Sequence, residues 1–256
     1  MSGVFSSCWT GHGDGDDHER LLALRPGDPV AVEQLFNDAA PTYDRLNDLL
    51  SVGLHRQWKR QLLLNLAPHQ GEVWLDLCCG TGDLAFGLAR RVRPGGQVVG
   101  VDAAEAPLDV ARCRAAREPW LPLAFQQGDA LALDFDSASV DGVVMAYGLR
   151  NLADPATGLR EIKRVLRSGG RAGLLDFNRL PPDSVAARFQ RTYLQRVVVP
   201  VADGLGLKDH YAYLEASLQR FPDGASQEVL AKQAGFSSAR HRALAGGLMG
   251  LLILRS

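Results

Sequence analysis

The run EVWLDLCCGTGDLAFGLARRV, Glu72 to Val92, constrains the fold more than any other part of the chain. Its first half is a short apolar stretch that stops at glycine, as a strand buried on both faces does. Its second half spaces Leu84, Leu88 and Val92 at helical intervals until Pro94-Gly95-Gly96 ends it. The unit then recurs. QVVGVDAA reads as a second buried strand ending at Asp102, and APLDVARCRAAR as a second helix. LAFQQGDA and SVDGVVMAYG read as the third and fourth strands. DPATGLREIKRVLRSGG is a helix capped by Asp154 with Pro155 at its first position, and RAGLLDFN is a fifth strand. Strands alternating with helices predict a parallel sheet covered on both faces. Near the end, ALAGGLMGLLIL carries Gly246-Gly247 as the turn of a strand hairpin.

The chain has 256 residues, and a net charge of −1 excludes a generally basic nucleic-acid binder. Cys78 and Cys79 are adjacent, which is not the spacing of a zinc or dithiol site, and four cysteines in this length do not make a secreted disulfide scaffold. No metal is expected, and a reduced cytoplasmic protein is. The longest apolar run, Ala243 to Leu254, has 12 residues, against the roughly 18 that a spanning helix needs. The first 25 residues are polar, acidic and glycine-rich, without the marks of a signal or transit peptide, so residues 1–29 are expected to be a disordered tail and His12 and His18 free tail histidines. Residues 30–256 are expected to form one domain, with an N-terminal helical cap over 30–70. Trp58, Leu62, Leu63 and Leu66 repeat in the cap at helical spacing, and Pro41 breaks it.

In open parallel sheets ligands bind beyond the carboxyl ends of the strands, near the switch in strand order. That rule points to Asp76–Asp83, Asp102, Gly128-Asp129-Ala130, Tyr147–Asn151 and Asp176–Asn178. Gly80 and Gly82 lie at a strand-to-helix turn where backbone can approach a ligand closely. With Ala85 they satisfy G-x-G-x-x-G/A, and Asp102 follows Gly82 by 20 residues, so a nicotinamide dehydrogenase must be weighed. Against it, Asp76 puts a carboxylate under the turn, which suits a cation better than a pyrophosphate. Asp129 and a neighbouring backbone amide can hold an adenine edge. A nucleoside with a positive tail fits these groups, and S-adenosylmethionine is one. The two cysteines then read as small buried turn residues.

With these residues in place, the chain resembles the class I S-adenosylmethionine-dependent methyltransferases, and within them the ubiquinone/menaquinone-biosynthesis C-methyltransferase family. The similar text includes AAPTYDRLNDLLSVGLHRQWKR, DLCCGTGDLAF, AYGLRNLADP, EIKRVLRSGGRAGLLDFN and AGFSSARHRALAGGLMG. DLCCG, YGLRN, LLDFN and VVVPVAD resemble the phylloquinone branch of plants and cyanobacteria. The resemblance implies a Rossmann-like α/β fold: a seven-stranded, mostly parallel sheet, helices on both faces and a C-terminal antiparallel hairpin. It implies S-adenosylmethionine as methyl donor and C-methylation of reduced 2-phytyl-1,4-naphthoquinone, the last methylation of vitamin K1 synthesis. Demethylmenaquinol and benzoquinols are the alternative acceptors.

Carried over by position, the resemblance places Thr81 at the cofactor turn with Gly80 and Gly82. It puts Asp102 on the ribose hydroxyls with Ala103 beside it, and Asp129 and Ala130 at the adenine. Ala146 stands where bacterial relatives commonly carry serine, so a contact there would be through backbone. Tyr43, in the N-terminal "YD", is expected to close over the cofactor. The Arg150-Asn151 pair is the proposed catalytic centre of the resembling family, with arginine acting through a water. Arginine stays protonated, so the preferred role for Arg150 is the cation that lowers the quinol pKa while water takes the proton. The competing reading is a salt bridge to Asp154 or Glu161. His55, His210, Tyr211 and Tyr213 are further candidates near the substrate, although Tyr211, Leu214, Leu218 and Phe221 form one helical stripe that reads as core or pocket wall.

A quinone carbon is electrophilic, so the ring must arrive reduced, which implies an upstream quinone reductase. Residues 180–222 read as an apolar helical insertion that walls a prenyl chain of about twenty carbons, at about 0.8 kcal/mol per buried methylene. The prenylated naphthoquinol comes from a bilayer, so a transient, peripheral membrane contact is expected. LHRQWKR offers cations and a tryptophan for it, with a solvated helix face as the equal alternative. No nucleic-acid partner is expected, and a homodimer is compatible with this reading.

Overall fold

The computed structural model describes residues 53–180 and 208–256, together with scattered positions between 28 and 37 and between 183 and 196. All but one residue of the tail expected over 1–29, and about half of the insertion expected over 180–222, therefore lie outside the described residues.

Helix α1 (His55–Leu66) precedes strand β1 (Val73–Leu77). Then follow α2 (Asp83–Val92), β2 (Gln97–Asp102), α3 (Glu105–Ala115), β3 (Leu123–Gln127) and β4 (Val140–Ala146). A single 3-10 turn, Leu149–Asn151, leads to α4 (Pro155–Val165) and β5 (Leu166–Phe177). The chain ends with α5 (Lys208–Arg220), α6 (Gly224–Gln233), β6 (Ser238–Leu244) and β7 (Met249–Arg255). The sheet has seven strands in the order β3-β2-β1-β4-β5-β7-β6. β1 to β5 run parallel; β7 lies antiparallel to both β5 and β6. The expected sheet and C-terminal hairpin are both present. The strand order reverses between β1 and β4, the switch point at which a ligand crevice is expected.

The central strands are apolar through their length because helices cover both faces. One core lies under α4 and α6 and contains Leu75, Leu77, Met145, Leu159, Ile162 and Leu252. The other lies under α1 and α2 and contains Leu62, Leu66, Trp74, Leu84, Leu88 and Leu251. Trp74 is wholly buried and sits against Gly142 on the neighbouring strand, where a Cβ would lie 2.4 Å from the indole. Asp154 caps α4 as expected, accepting from the Ala156 N–H, with Pro155 at the first position.

Two features differ from the sequence reading. The expected helix through Arg167 ends at Val165, and β5 begins at once. Leu166 is buried and pairs with Val140, the register slips before Gly142, and Gly169 turns with φ +75°. A buried leucine thus wins a strand partner over another helical turn. Trp58 and His55, in the segment expected to offer a membrane-facing tryptophan, are buried, and Lys59 pairs with Asp83 at 3.0 Å. Trp58, Leu62 and Leu66 fall on one helical stripe, and that stripe faces the core. No described helix is long and apolar enough to cross a membrane.

One buried arginine ties α1 to the sheet. Arg171 on β5 donates to the carbonyls of Leu66 (2.5 Å) and Ala67 (2.8 Å), pairs with Glu72 at 2.7 Å and lies over the Trp74 ring. Burial works against the Glu72 charge, but bonds from Arg171, the His69 N–H and the Trp74 indole outweigh it and hold its pKa below the ordinary value. Arg171→Ala leaves two carbonyls and a carboxylate without these donors. It should cost about 3–5 kcal/mol, the range for breaking a buried pair, read as a lowered urea midpoint. Because the Glu72 pKa is depressed in the folded protein, its share of stability should be present at neutral pH and fade as pH falls through that value.

Candidate functional site

At the carboxyl ends of β1, β2 and β4 the chain encloses a cavity of about 900 Å³, counting its open mouth. Strand polarity puts it there: in a parallel sheet every strand-to-helix turn opens at the same edge. Gly80, Asp102, Ala103, Asp129, Ala130, Ala146 and Asn151 line it, as the sequence reading expects, together with Cys78 and Tyr147, which the strand-end rule covered without assigning them a role, and Glu33, which that reading did not single out. Its described lining contains three acids, Glu33, Asp102 and Asp129, and no lysine, arginine or histidine.

Asp102 is fixed by the turns around it. One carboxylate oxygen accepts from the Gly80 N–H at 2.7 Å, the other from the Ala104 N–H at 3.0 Å. Burial raises its pKa, although these bonds and the Ala103 N–H act to lower it. Asp129 accepts from the Leu131 N–H at 2.8 Å, holding the turn after β3. Gly82 has φ +90°, and a Cβ there would lie 2.6 Å from the Phe125 ring, so only glycine gives both the turn and the packing.

Asp76, Thr81, Ala146 and Tyr147 also line a second, smaller cavity of about 310 Å³ with Lys59 and Asp83. The Asp76 carboxylate accepts from the Ala85 N–H at 2.8 Å, inside the first turn of α2. Burial raises its pKa to about 8. Asp83 behaves oppositely: burial opposes its charge, but Lys59 and Arg114, each at 3.0 Å, bring its pKa down to about 2. Burial, with the neighbouring carboxylates, pushes both the Cys78 and Cys79 thiols well up, so they pack as neutral turn residues.

Beyond β4 the chain makes a tight turn. Tyr147 adopts φ +63°, unusual for a residue with a side chain. Its carbonyl accepts from Arg150 Nη1 and from Asn151 Nδ2, both at 2.9 Å. Arg150 is buried and pairs with Asp176, not with Asp154 or Glu161. Nη1 lies 2.6 Å from the carboxylate, the Arg150 N–H reaches its other oxygen at 3.2 Å, and the guanidinium lies over Phe177. Asp154 caps α4 and Glu161 pairs with Arg164. Asp176 was within reach of the strand-end rule, in LLDFN, but its partner was not. Asn151 faces the large cavity, whereas Arg150 is absent from its described lining.

His55 is buried and lines neither cavity. Tyr43 and the side chains of His210 and Tyr211 lie outside the described residues. Among the described residues there is no group of three or more potential metal ligands.

An acid-lined cavity without a cation suits a nucleoside carrying positive charge and disfavours a dinucleotide pyrophosphate. Comparison with known proteins agrees. Residues 26–253 match the ubiE/COQ5 methyltransferase family. A protein of Synechococcus elongatus named 2-phytyl-1,4-naphtoquinone methyltransferase is 48% identical over 89% of this chain and 98% of its own. The protein of that name in Nostoc punctiforme is 46% identical over 87% and 97%. The chloroplastic 2-phytyl-1,4-beta-naphthoquinone methyltransferase of Arabidopsis thaliana is 44% identical over 86% and 85%. Solved structures of S-adenosylmethionine-dependent methyltransferases share the fold. One from Aquifex aeolicus has a TM-score of 0.58 at 15% identity over 89% of this chain and 98% of that one. One from Thermotoga maritima has 0.60 at 17% over 88% and 99%.

Two expectations follow. Asp102→Ala should weaken S-adenosylmethionine binding by roughly 1.5–3 kcal/mol, as for hydrogen bonds to a charged group, without unfolding the protein; unchanged affinity in titration calorimetry would remove Asp102 from the site. Asp76, with a raised folded pKa, should make the ligand-free protein lose stability as pH rises from 3.8 through about 8. Asp76→Asn should flatten that decline in melting curves across the same range.

Proposed function

The chain belongs to the ubiE/COQ5 methyltransferase family, and on that premise we propose that it converts reduced 2-phytyl-1,4-naphthoquinone to phylloquinone. The observation that carries the acceptor is the 44–48% identity, over most of the chain, to proteins named for that substrate. S-adenosylmethionine is the methyl donor; when bound it supplies a methyl already activated by its sulfonium, so the protein's task is alignment and a nucleophilic acceptor carbon.

The described residues fit that donor. Asp102, its oxygens oriented by the Gly80 and Ala104 amides, takes the ribose hydroxyls. Asp129 and Ala130 take the adenine, and Gly80, Thr81, Gly82 and Ala103 shape the turns around it. Ala146, common to both cavities, contributes backbone. Tyr43 is proposed to cover the cofactor.

Asn151 and Arg150 are the catalytic pair of this proposal. The acceptor must enter as the quinol and lose a hydroxyl proton, which passes to water, before the adjacent ring carbon can attack. Asn151, on the cavity wall, is placed to donate to that oxygen. Arg150 acts from just behind it as the fixed positive charge that favours the ionised quinol. Its bond to Asp176 holds it in place. A quinone reductase upstream, a transient membrane contact for the prenylated acceptor, an apolar wall from residues 180–222 and a homodimer complete the proposal.

Activity on 2-phytyl-1,4-naphthoquinone should require dithionite or a quinone reductase, and a short-tailed analogue should react more weakly because it buries less apolar surface. If the oxidised quinone is methylated without a reductant, the quinolate mechanism fails. If reduced demethylmenaquinone or a benzoquinol is preferred, the acceptor assignment fails while the methyltransferase stands. Arg150→Lys should retain part of the turnover and Arg150→Ala very little, with S-adenosylmethionine affinity changed only modestly in both.

A further inference from the structure

The catalytic turn is gripped by a helix far away in sequence. Helix α5 donates to it from two side chains. The Tyr213 hydroxyl lies 3.3 Å from Asn151 Oδ1, and Arg220 Nη2 lies 3.2 Å from the Arg150 carbonyl and 3.3 Å from that of Leu152. Tyr213 is 5% exposed and Asn151 8%, so water does not readily replace the bond between them.

That bond and the one to the Tyr147 carbonyl together pin the Asn151 carboxamide. A carboxamide has one end that only accepts and one that only donates, in two N–H bonds. The Tyr147 carbonyl can only accept, so the NH₂ end must face it, and it does, at 2.9 Å. The oxygen then lies on the Tyr213 side and takes the phenol proton. One N–H of Nδ2 is spent on Tyr147. The other makes no hydrogen bond among the described residues, on a side chain that forms part of the cavity wall. Were the carboxamide turned over, two oxygens would oppose each other at Tyr147 and the cavity would lose its donor.

We propose that Tyr213 is a positioning residue for methyl transfer: its hydroxyl fixes the Asn151 carboxamide so that an N–H is held toward the acceptor oxygen. The proposal rests on the reading of Asn151 as a catalytic group. Arg220 holds the backbone of the same turn, so α5 sets both the place and the orientation of that donor. Loss of the phenol should leave the carboxamide tied only through its NH₂ end to the Tyr147 carbonyl and free to swing about that bond, while leaving the cofactor residues on β1, β2 and β3 untouched.

Tyr213→Phe removes one oxygen and keeps the buried ring. It should lower kcat roughly ten-fold, the scale of one lost hydrogen bond, with the KM for S-adenosylmethionine and the melting temperature unchanged. The deciding measurement is a double-mutant cycle on single-turnover rates. Asn151→Ala should be slow, and adding Tyr213→Phe to it should slow it no further, because the phenol then has no carboxamide to orient. If Tyr213→Phe turns over at the normal rate, or if the two losses multiply, the positioning role is overturned while Asn151 keeps its own. If Asn151→Ala turns over normally, the catalytic reading of Asn151 falls and the proposal falls with it.

Discussion

Buried strand ends leave backbone N–H groups facing inward, and each needs an acceptor. In this chain carboxylates at the carboxyl edge of the sheet meet that need. Asp76 takes the Ala85 N–H, Asp102 those of Gly80 and Ala104, Asp129 that of Leu131, and Asp176 those of Arg150 and Phe177. The turns that form the cavity therefore exist in these shapes because acids sit at those positions. Two of these acids, Asp102 and Asp129, also line the large cavity. Architecture and electrostatics at this edge cannot be varied independently.

The charges at the edge are sorted by partner. Asp83 and Asp176 are matched by cations, Lys59 with Arg114 and Arg150 respectively. Asp76 and Asp102 receive backbone donors, and burial lifts both pKa values. Matching neutralises the acids that hold the scaffold, while burial disfavours the charge on Asp76 and Asp102, so that a cationic ligand beside them is what makes their ionisation favourable. The turn after β4 is handled differently. Its tyrosine lies in the left-handed region, and two side-chain donors converge on that residue's carbonyl. A costly backbone conformation persists where surrounding bonds over-determine it, and here those bonds come from the two residues proposed to act on the acceptor.

Much of this was legible in the sequence. Alternating apolar runs and amphipathic stretches are local patterns, so the five parallel strands, the glycine turn and the C-terminal hairpin could be read directly. Asp102 and Asn151 could be placed because strand ends in a parallel sheet share an edge. The partner of Arg150 could not: Asp176 lies 26 residues on, and only the pairing of β4 with β5 brings it near. The nearby acids Asp154 and Glu161 were better candidates on sequence distance alone. The membrane-facing role imagined for Trp58 had a contrary signal, since the tryptophan falls on the stripe of Leu62 and Leu66. On the helical stripe through Tyr211, Leu214 and Phe221 are buried, and Tyr213 and Ser217 beside it are buried as well; only tertiary packing decides how wide the buried face of such a helix is.

The acid-lined cavity also bears on how a catalytic cycle ends. Methyl transfer converts a sulfonium to a neutral thioether, so the spent cofactor carries one positive charge fewer than the fresh one. If the donor binds as proposed, a described lining of three carboxylates and no cation holds the two unequally, and low dielectric magnifies the difference. The charge arrangement proposed to draw the donor in would then loosen its hold once the methyl has gone, and electrostatics would favour release of the spent cofactor over the fresh one.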